Sequence, residues 1–269
     1  MEQTNEKERF KLNEVYEGEA FKEFYGKNVE QMPKLIAEGR TPMSVAQLMQ
    51  RRLDVRGASE DVKSAWMDNY FETGDAVVYH PDGRVKIVLD SQHLRDMTLE
   101  SKIERGVLVL TRDAYDDLEG EEFEGRNFGK VCERLSREEA KAHPVWRVLA
   151  REQALLNEYA DLIFAEGKER FGYDTAMGVF LGQLYSAINP ELEVWNIGKL
   201  KGRSYAGSIA DTDCKKGCFV GLAPEAQNLL GKPVGQVRAC TAAELQAFGN
   251  KAVSRRKTSR KKKALSRKR

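Results

Sequence analysis

Apolar residues recur along this chain in two periods, and the period changes near residue 70. From 41 to 56 the spacing is helical. Val45, Leu48, Met49 and Leu53 fall on one face, the stripe that a helix turns toward a core. Thr41-Pro42 supplies the predicted start, because threonine caps the first amides and proline at the first helical position has no amide to leave unpaired. Arg51, Arg52 and Arg56 follow at the far end, where positive charge suits the helix dipole. A second helix is predicted from Ser59 to Tyr70, with Val62, Ala65, Trp66 and Asn69 or Tyr70 inward.

The pattern then turns to strands. Ala76–Tyr79 and Arg84–Leu89 are β-prone runs on either side of His80-Pro81-Asp82-Gly83. Proline presets φ and glycine accepts positive φ, so these four residues predict a hairpin turn. A third strand is expected at Val107–Leu110, completing a small antiparallel sheet. In the second half, Ser136 and Glu139 have the spacing of a capping box. A long helix is predicted from Val145 to about Glu166, buried through Val148, Leu149, Leu156, Tyr159 and Ile163. A second, at about Thr175 to Ile188, carries Met177, Phe180, Leu181 and Leu184 and is stopped by Pro190. These two read as an antiparallel helical pair. Strands are expected at Glu193–Ile197 and Cys218–Leu222, then short helices at 224–230 and 242–248.

The fold class that follows is α+β: a small antiparallel sheet with a helical pair, ending in a disordered basic tail. Three regions are expected. Residues 1–14 form a polar extension, and residues 15–250 a globular body whose possible subdomains would meet near 131–143. Residues 251–269 form the tail.

Charge changes this picture. The whole chain has 44 Lys+Arg against 42 Asp+Glu, a net +2. Residues 251–269 hold eleven Lys/Arg and no acid, so the remainder carries −9. Most of that excess lies in residues 60–130, with 17 acids against 9 bases. There Asp113, Asp116, Asp117, Glu119, Glu121, Glu122 and Glu124 have no basic residue among them. The plain reading is a solvated acidic face, and the sharper one is a self-docking site for the tail within 113–124. The longest apolar stretch, around Met177–Tyr185, is broken by glycines and falls short of the about 20 residues that span a membrane. The first ten residues lack the apolar core of a signal peptide. Four cysteines in 269 residues do not make a disulfide scaffold. A cytoplasmic location is expected, or a nuclear one in a eukaryote.

The tail supplies the leading functional reading. Arg255, Arg256, Lys257, Arg260, Lys261, Lys262, Lys263, Arg267, Lys268 and Arg269 lie in a run with only Val253 and Leu265 as large apolar residues. Such a run releases counterions on a polyanion, with a salt slope of roughly −5 if half its charges meet phosphate. The expectation is a non-enzymatic protein associated with nucleic acid or another polyanion and tethered by this tail. Lys199, Lys201 and Arg203 join the expected nucleic-acid contacts. They sit in Gly198-Lys-Leu-Lys-Gly-Arg-Ser204 beside Tyr205, which shares only its composition with a phosphate loop. The rivals are an enzyme of unknown reaction using acidic and basic loop residues, and an assembly protein that packages nucleic acid.

Other chemistry is weaker. Cys214 and Cys218 have a spacing that zinc permits, but Cys132 and Cys240 do not complete a four-ligand site. Asp211 and Asp213 form a bare Asp-x-Asp pair. His80, His93 and His143 lack metal-pair spacing. No metal and no cofactor is expected, and no hydrolase or dinucleotide motif occurs. The helices at 41–53 and 59–70 outline a DNA-reading pair, but the second carries Glu60, Asp61 and Asp68 against Lys63 alone. Phosphate would repel it, so packing is the preferred reading.

Overall fold

A computed structural model describes residue 12 and residues 20–124, 132–182, 188–210, 212, 215–224 and 226. The chain enters through β1 (Phe21–Tyr25), α1 (Asn28–Ala37) and β2 (Thr41–Pro42), followed by α2 (Val45–Asp54) and α3 (Glu60–Met67). A hairpin of β3 (Phe71–Tyr79) and β4 (Arg84–Val88) leads to α4 (Gln92–Arg95), β5 (Ile103–Glu104), β6 (Val107–Val109), α5 (Arg112–Asp116) and β7 (Glu121–Glu124). Then come β8 (Cys132–Leu135), α6 (Arg137–Ala142), α7 (Pro144–Ala150) and α8 (Gln153–Phe171). The last described strands are β9 (Met177–Phe180), β10 (Glu191–Ile197), β11 (Tyr205–Ala210) and β12 (Cys218–Leu222).

The α+β class holds, but the sheet is neither small nor purely antiparallel. Among the described residues it has twelve strands, with a central path β1-β12-β3-β10-β11-β9-β8. The β12–β3 and β11–β9 pairs are parallel. Among the described residues the expected helical pair is absent. Residues 177–180 form a strand, because Met177 and Val179 enter the core while Gly178 and Phe180 face the other way. Apolar density there fits either period, and β8 and β11 on both sides decide it. The long helix is two helices, broken at Arg151, whose φ is +65°. Its guanidinium reaches Asp90 at 2.7 Å and the fully buried Asp75 at 3.2 Å.

Thr41-Pro42 likewise belongs to a strand, paired with Gly221 and Leu222. The cap of α2 is Ser44, whose Oγ accepts from the Gln47 amide while Gln47 Oε1 accepts from the Ser44 amide. The hairpin forms as expected, with Val77 opposite Ile87 and Gly83 at φ +97°. Ser136 and Glu139 complete their capping box. The helices expected at 224–230 and 242–248 fall largely or wholly outside the described residues, as does the tail.

Two apolar cores occupy the two faces of the sheet. One holds Trp66, Trp146, Trp195, Tyr159 and Ile163 beneath α2, α3, α7 and α8, and draws on residues from both sides of position 135. The other holds Phe24, Met32, Val78, Tyr115, Leu192 and Phe219 beside α1, α4 and α5. Strands β3 and β10 feed both by alternation. Their register shifts at Trp195: Val194 pairs with Ala76 but Asn196 with Glu72. Thr73, Gly74 and Asp75 therefore oppose one residue, a bulge that bends the strand. It delivers Asp75 to the start of α2, where Oδ2 accepts from the Val45 amide at 2.7 Å.

Candidate functional site

The connection between β10 and β11 is a compact turn rather than an open loop. Gly198 N donates to Tyr205 O at 2.8 Å and closes its base. Leu200 is fully buried, and residues 200–202 form a single 3-10 turn. Arg203 and Ser204 then adopt φ of +68° and +35°. Two successive non-glycine residues in that region cost roughly 1–3 kcal/mol each, so the surroundings must hold them.

Arg52 does so from below. It is fully buried on α2 and donates to Ser204 Oγ at 2.9 Å and Gly198 O at 3.1 Å. It also donates to Trp66 O at 2.8 Å, Asn69 O at 3.0 Å and Tyr159 Oη at 2.9 Å. Tyr159 and Ser204 hydroxyls meet at 2.8 Å. The guanidinium thus ties α2, α3, α8 and the turn together through neutral oxygens. Nothing local distinguished Arg52 from Arg51 or Arg56; its burial at the third turn of an apolar face was the available signal.

Above this anchor lies an aromatic face. The partly exposed Tyr205 ring lies between two glycines. A β-carbon at Gly198 would stand 2.7 Å from its Cε1, and one at Gly207 2.9 Å from its Cε2. Phe180 meets Tyr205 edge-on, with centroids 4.8 Å apart. The Arg203 guanidinium covers the Tyr173 ring at 4.3 Å, and Tyr173 Oη donates to Lys201 O at 2.9 Å. Phe171 stacks on Tyr173 at 5.3 Å. Register places Asn196 opposite Gly207, and its Oδ1 is buried without a hydrogen-bond partner. Burial holds the Tyr205 phenol above its usual pKa, so it stays neutral near pH 7.

Of the residues expected to bind nucleic acid, Lys199 and Lys201 are exposed and Arg203 is partly exposed. The structure brings these three to one turn. Arg255, Arg256, Lys257, Arg260, Lys261, Lys262, Lys263, Arg267, Lys268 and Arg269 lie outside the described residues, as do Asp211, Asp213 and Cys214. Cys218 is buried on β12, its thiol 3.2 Å from Glu23 Oε1. No group of three or more His, Cys, Asp or Glu suited to a metal occurs among the described residues. His93 is on α4, which packs against α1 and β3, whereas the basic turn packs against α8. His80 pairs with Asp82 at 2.7 Å in the hairpin turn. His143 is buried, which lowers its pKa to about 3. In the acidic segment, Asp113, Asp116, Asp117 and Glu119 are exposed. Glu122 there is held by Arg84 at 3.3 Å and Tyr115 Oη at 3.0 Å.

A concavity of about 650 Å³ lies on α6–α8 and is lined by Glu138, Lys141, Arg147, Asn157 and Asp161 among others. Lys141 is paired with Asp161 there at 2.7 Å. It offers no aromatic surface, unlike the Tyr205 face.

No family model matches the chain, and no curated protein matches it significantly. A solved structure does, described as "Accommodation of massive sequence variation in Nanoarchaeota by the C-type lectin fold". The likeness has a TM-score of 0.57 at 14% identity and covers 76% of this chain and 97% of that one. The fold is that of the C-type lectins. That finding corrects the functional expectation. A C-type lectin fold does not support the expectation of a nucleic-acid- or polyanion-associated protein tethered by its tail. Among the described residues, no helix is long and apolar enough to cross a membrane.

Proposed function

We propose that this chain is a saccharide-recognition protein and that its ligand is received on the aromatic face at the β10–β11 turn. The observation that carries this reading is the Tyr205 ring, clamped between Gly198 and Gly207 and partly exposed. Saccharide rings present patches of C–H that pack on the electron-rich face of an aromatic ring. Their hydroxyls then need polar groups at the rim. Asn196 Oδ1 lies beside this ring, buried and without a donor. An unmet buried acceptor costs about 1–3 kcal/mol, and a sugar hydroxyl or a water it orders would relieve it. The C-type lectin fold supports the same reading at the level of architecture.

A panel of immobilised oligosaccharides tests it. The protein should bind a subset, and Tyr205→Ala should weaken that binding about tenfold, the equivalent of about 1.4 kcal/mol, with the thermal midpoint recorded as a control for folding. Absence of binding across the panel, or unchanged binding by Tyr205→Ala, overturns the reading.

A further inference from the structure

We infer that the saccharide received at this face is acidic, carrying a carboxylate or sulfate group. The inference rests on the saccharide reading and specifies its ligand. The turn from Gly198 to Tyr205 contains Lys199, Lys201 and Arg203 and no acid. Lys199 and Lys201 are exposed, and neither ammonium has an ion pair or hydrogen bond among the described residues. Several other lysines of the body are paired: Lys22 with Glu38 at 2.6 Å, Lys63 with Glu166 at 2.8 Å, Lys102 with Glu104 at 2.9 Å. Next to the aromatic face, Lys168 is already held by Asp174 at 2.7 Å.

The free cations adjoin the ring. The position of a β-carbon on Gly202 lies 3.6 Å from Lys199 Cγ and 3.8 Å from Tyr205 Cε1, so the lysine stem and the ring share one border. Arg203 completes the rim. Its guanidinium is stacked on Tyr173, and its Nε is buried with no hydrogen-bond partner. A stacked guanidinium keeps its in-plane N–H groups for a planar or tetrahedral oxyanion, and such charge-assisted bonds are roughly twice as strong as neutral ones. A neutral sugar would use the ring and leave all three cations idle.

The test is a titration of the full chain with three oligosaccharides of equal length: neutral, uronic-acid-containing and sulfated. At low ionic strength at least one acidic sugar should bind about tenfold tighter than the neutral one, and the preference should shrink as salt rises. Lys199→Ala/Lys201→Ala should remove most of that preference, read as the ratio of acidic to neutral affinity. The eleven tail cations are common to both proteins, so the difference between them reports the turn alone. Equal binding of neutral and acidic sugars by the unmodified chain overturns the inference and leaves the saccharide reading standing. An acidic preference undiminished in the double variant also overturns it, because the charge then acts from elsewhere. Binding of none of the three overturns the saccharide reading beneath it.

Discussion

Arg52 shows how one buried cation is made tolerable. It has no carboxylate partner among its contacts and instead donates five hydrogen bonds to neutral oxygens. Removing it would leave the carbonyls of Trp66, Asn69 and Gly198 without their donor. Arg52→Met keeps the volume but not the bonds, and should cost about 1–3 kcal/mol for each buried carbonyl left unpaired, read as a lower midpoint in urea denaturation. Arg52→Lys should recover only part of the loss, since an ammonium has three donors and no fork. A second residue-scale effect is acid sensitivity. His143 lies between α6 and α7 and is 2% exposed, and burial lowers its pKa from 6.5 to about 3. The unfolded chain therefore binds a proton below about pH 6.5 that the folded chain refuses until about pH 3. Stability from this group is complete above the unfolded value and is lost as pH falls through that window. Denaturation midpoints should decline between pH 6.5 and 4, with a shallower slope for His143→Gln.

At the scale of elements, local signals carried well where local chemistry decides. The start of α3 after Ser59, the hairpin at Pro81-Asp82-Gly83, the Ser136 capping box and the strand at Cys218–Leu222 were all legible. They failed where a distant partner decides. Met177–Phe180 has helical spacing in its apolar residues, yet β8 and β11 recruit it as a strand. The helix predicted from Val145 breaks because Arg151 is drawn to Asp75 and Asp90, more than sixty positions away. The site followed the same rule. Its basic residues and Tyr205 were visible in the sequence, but the roles of Gly198 and Gly207 depend on a ring brought against both. Gly207→Ala would place a methyl 2.9 Å from Tyr205 Cε2 and 3.2 Å from Asn196 Oδ1. With Gly198 closing the other side, the ring cannot retreat within the turn. The substitution should cost about 1–3 kcal/mol as overpacking and alter the tyrosine signal in near-ultraviolet circular dichroism. An unchanged spectrum would show that the ring is not clamped.

For the whole molecule, strands β3 and β10 are the shared wall between two cores. The runs at Ala76–Tyr79 and Glu193–Ile197 were readable as strands, but the number of strands was not. The sheet gathers segments as distant as β1 and β12, and a short strand at a sheet edge leaves little periodic trace. Net charge was the most visible whole-chain feature, yet it indicated a partner that the fold of the body does not favour. Charge speaks to association and solubility, whereas the site belongs to the architecture.

The anchoring of the turn has a further consequence. Arg52 holds it mainly through a backbone carbonyl and the Ser204 hydroxyl, from the side facing the core. The outward side chains at 199 and 201 take no part in setting its shape. Shape and composition are thereby separated: the side chains at these two positions can be randomised in a library without rebuilding the frame that presents them.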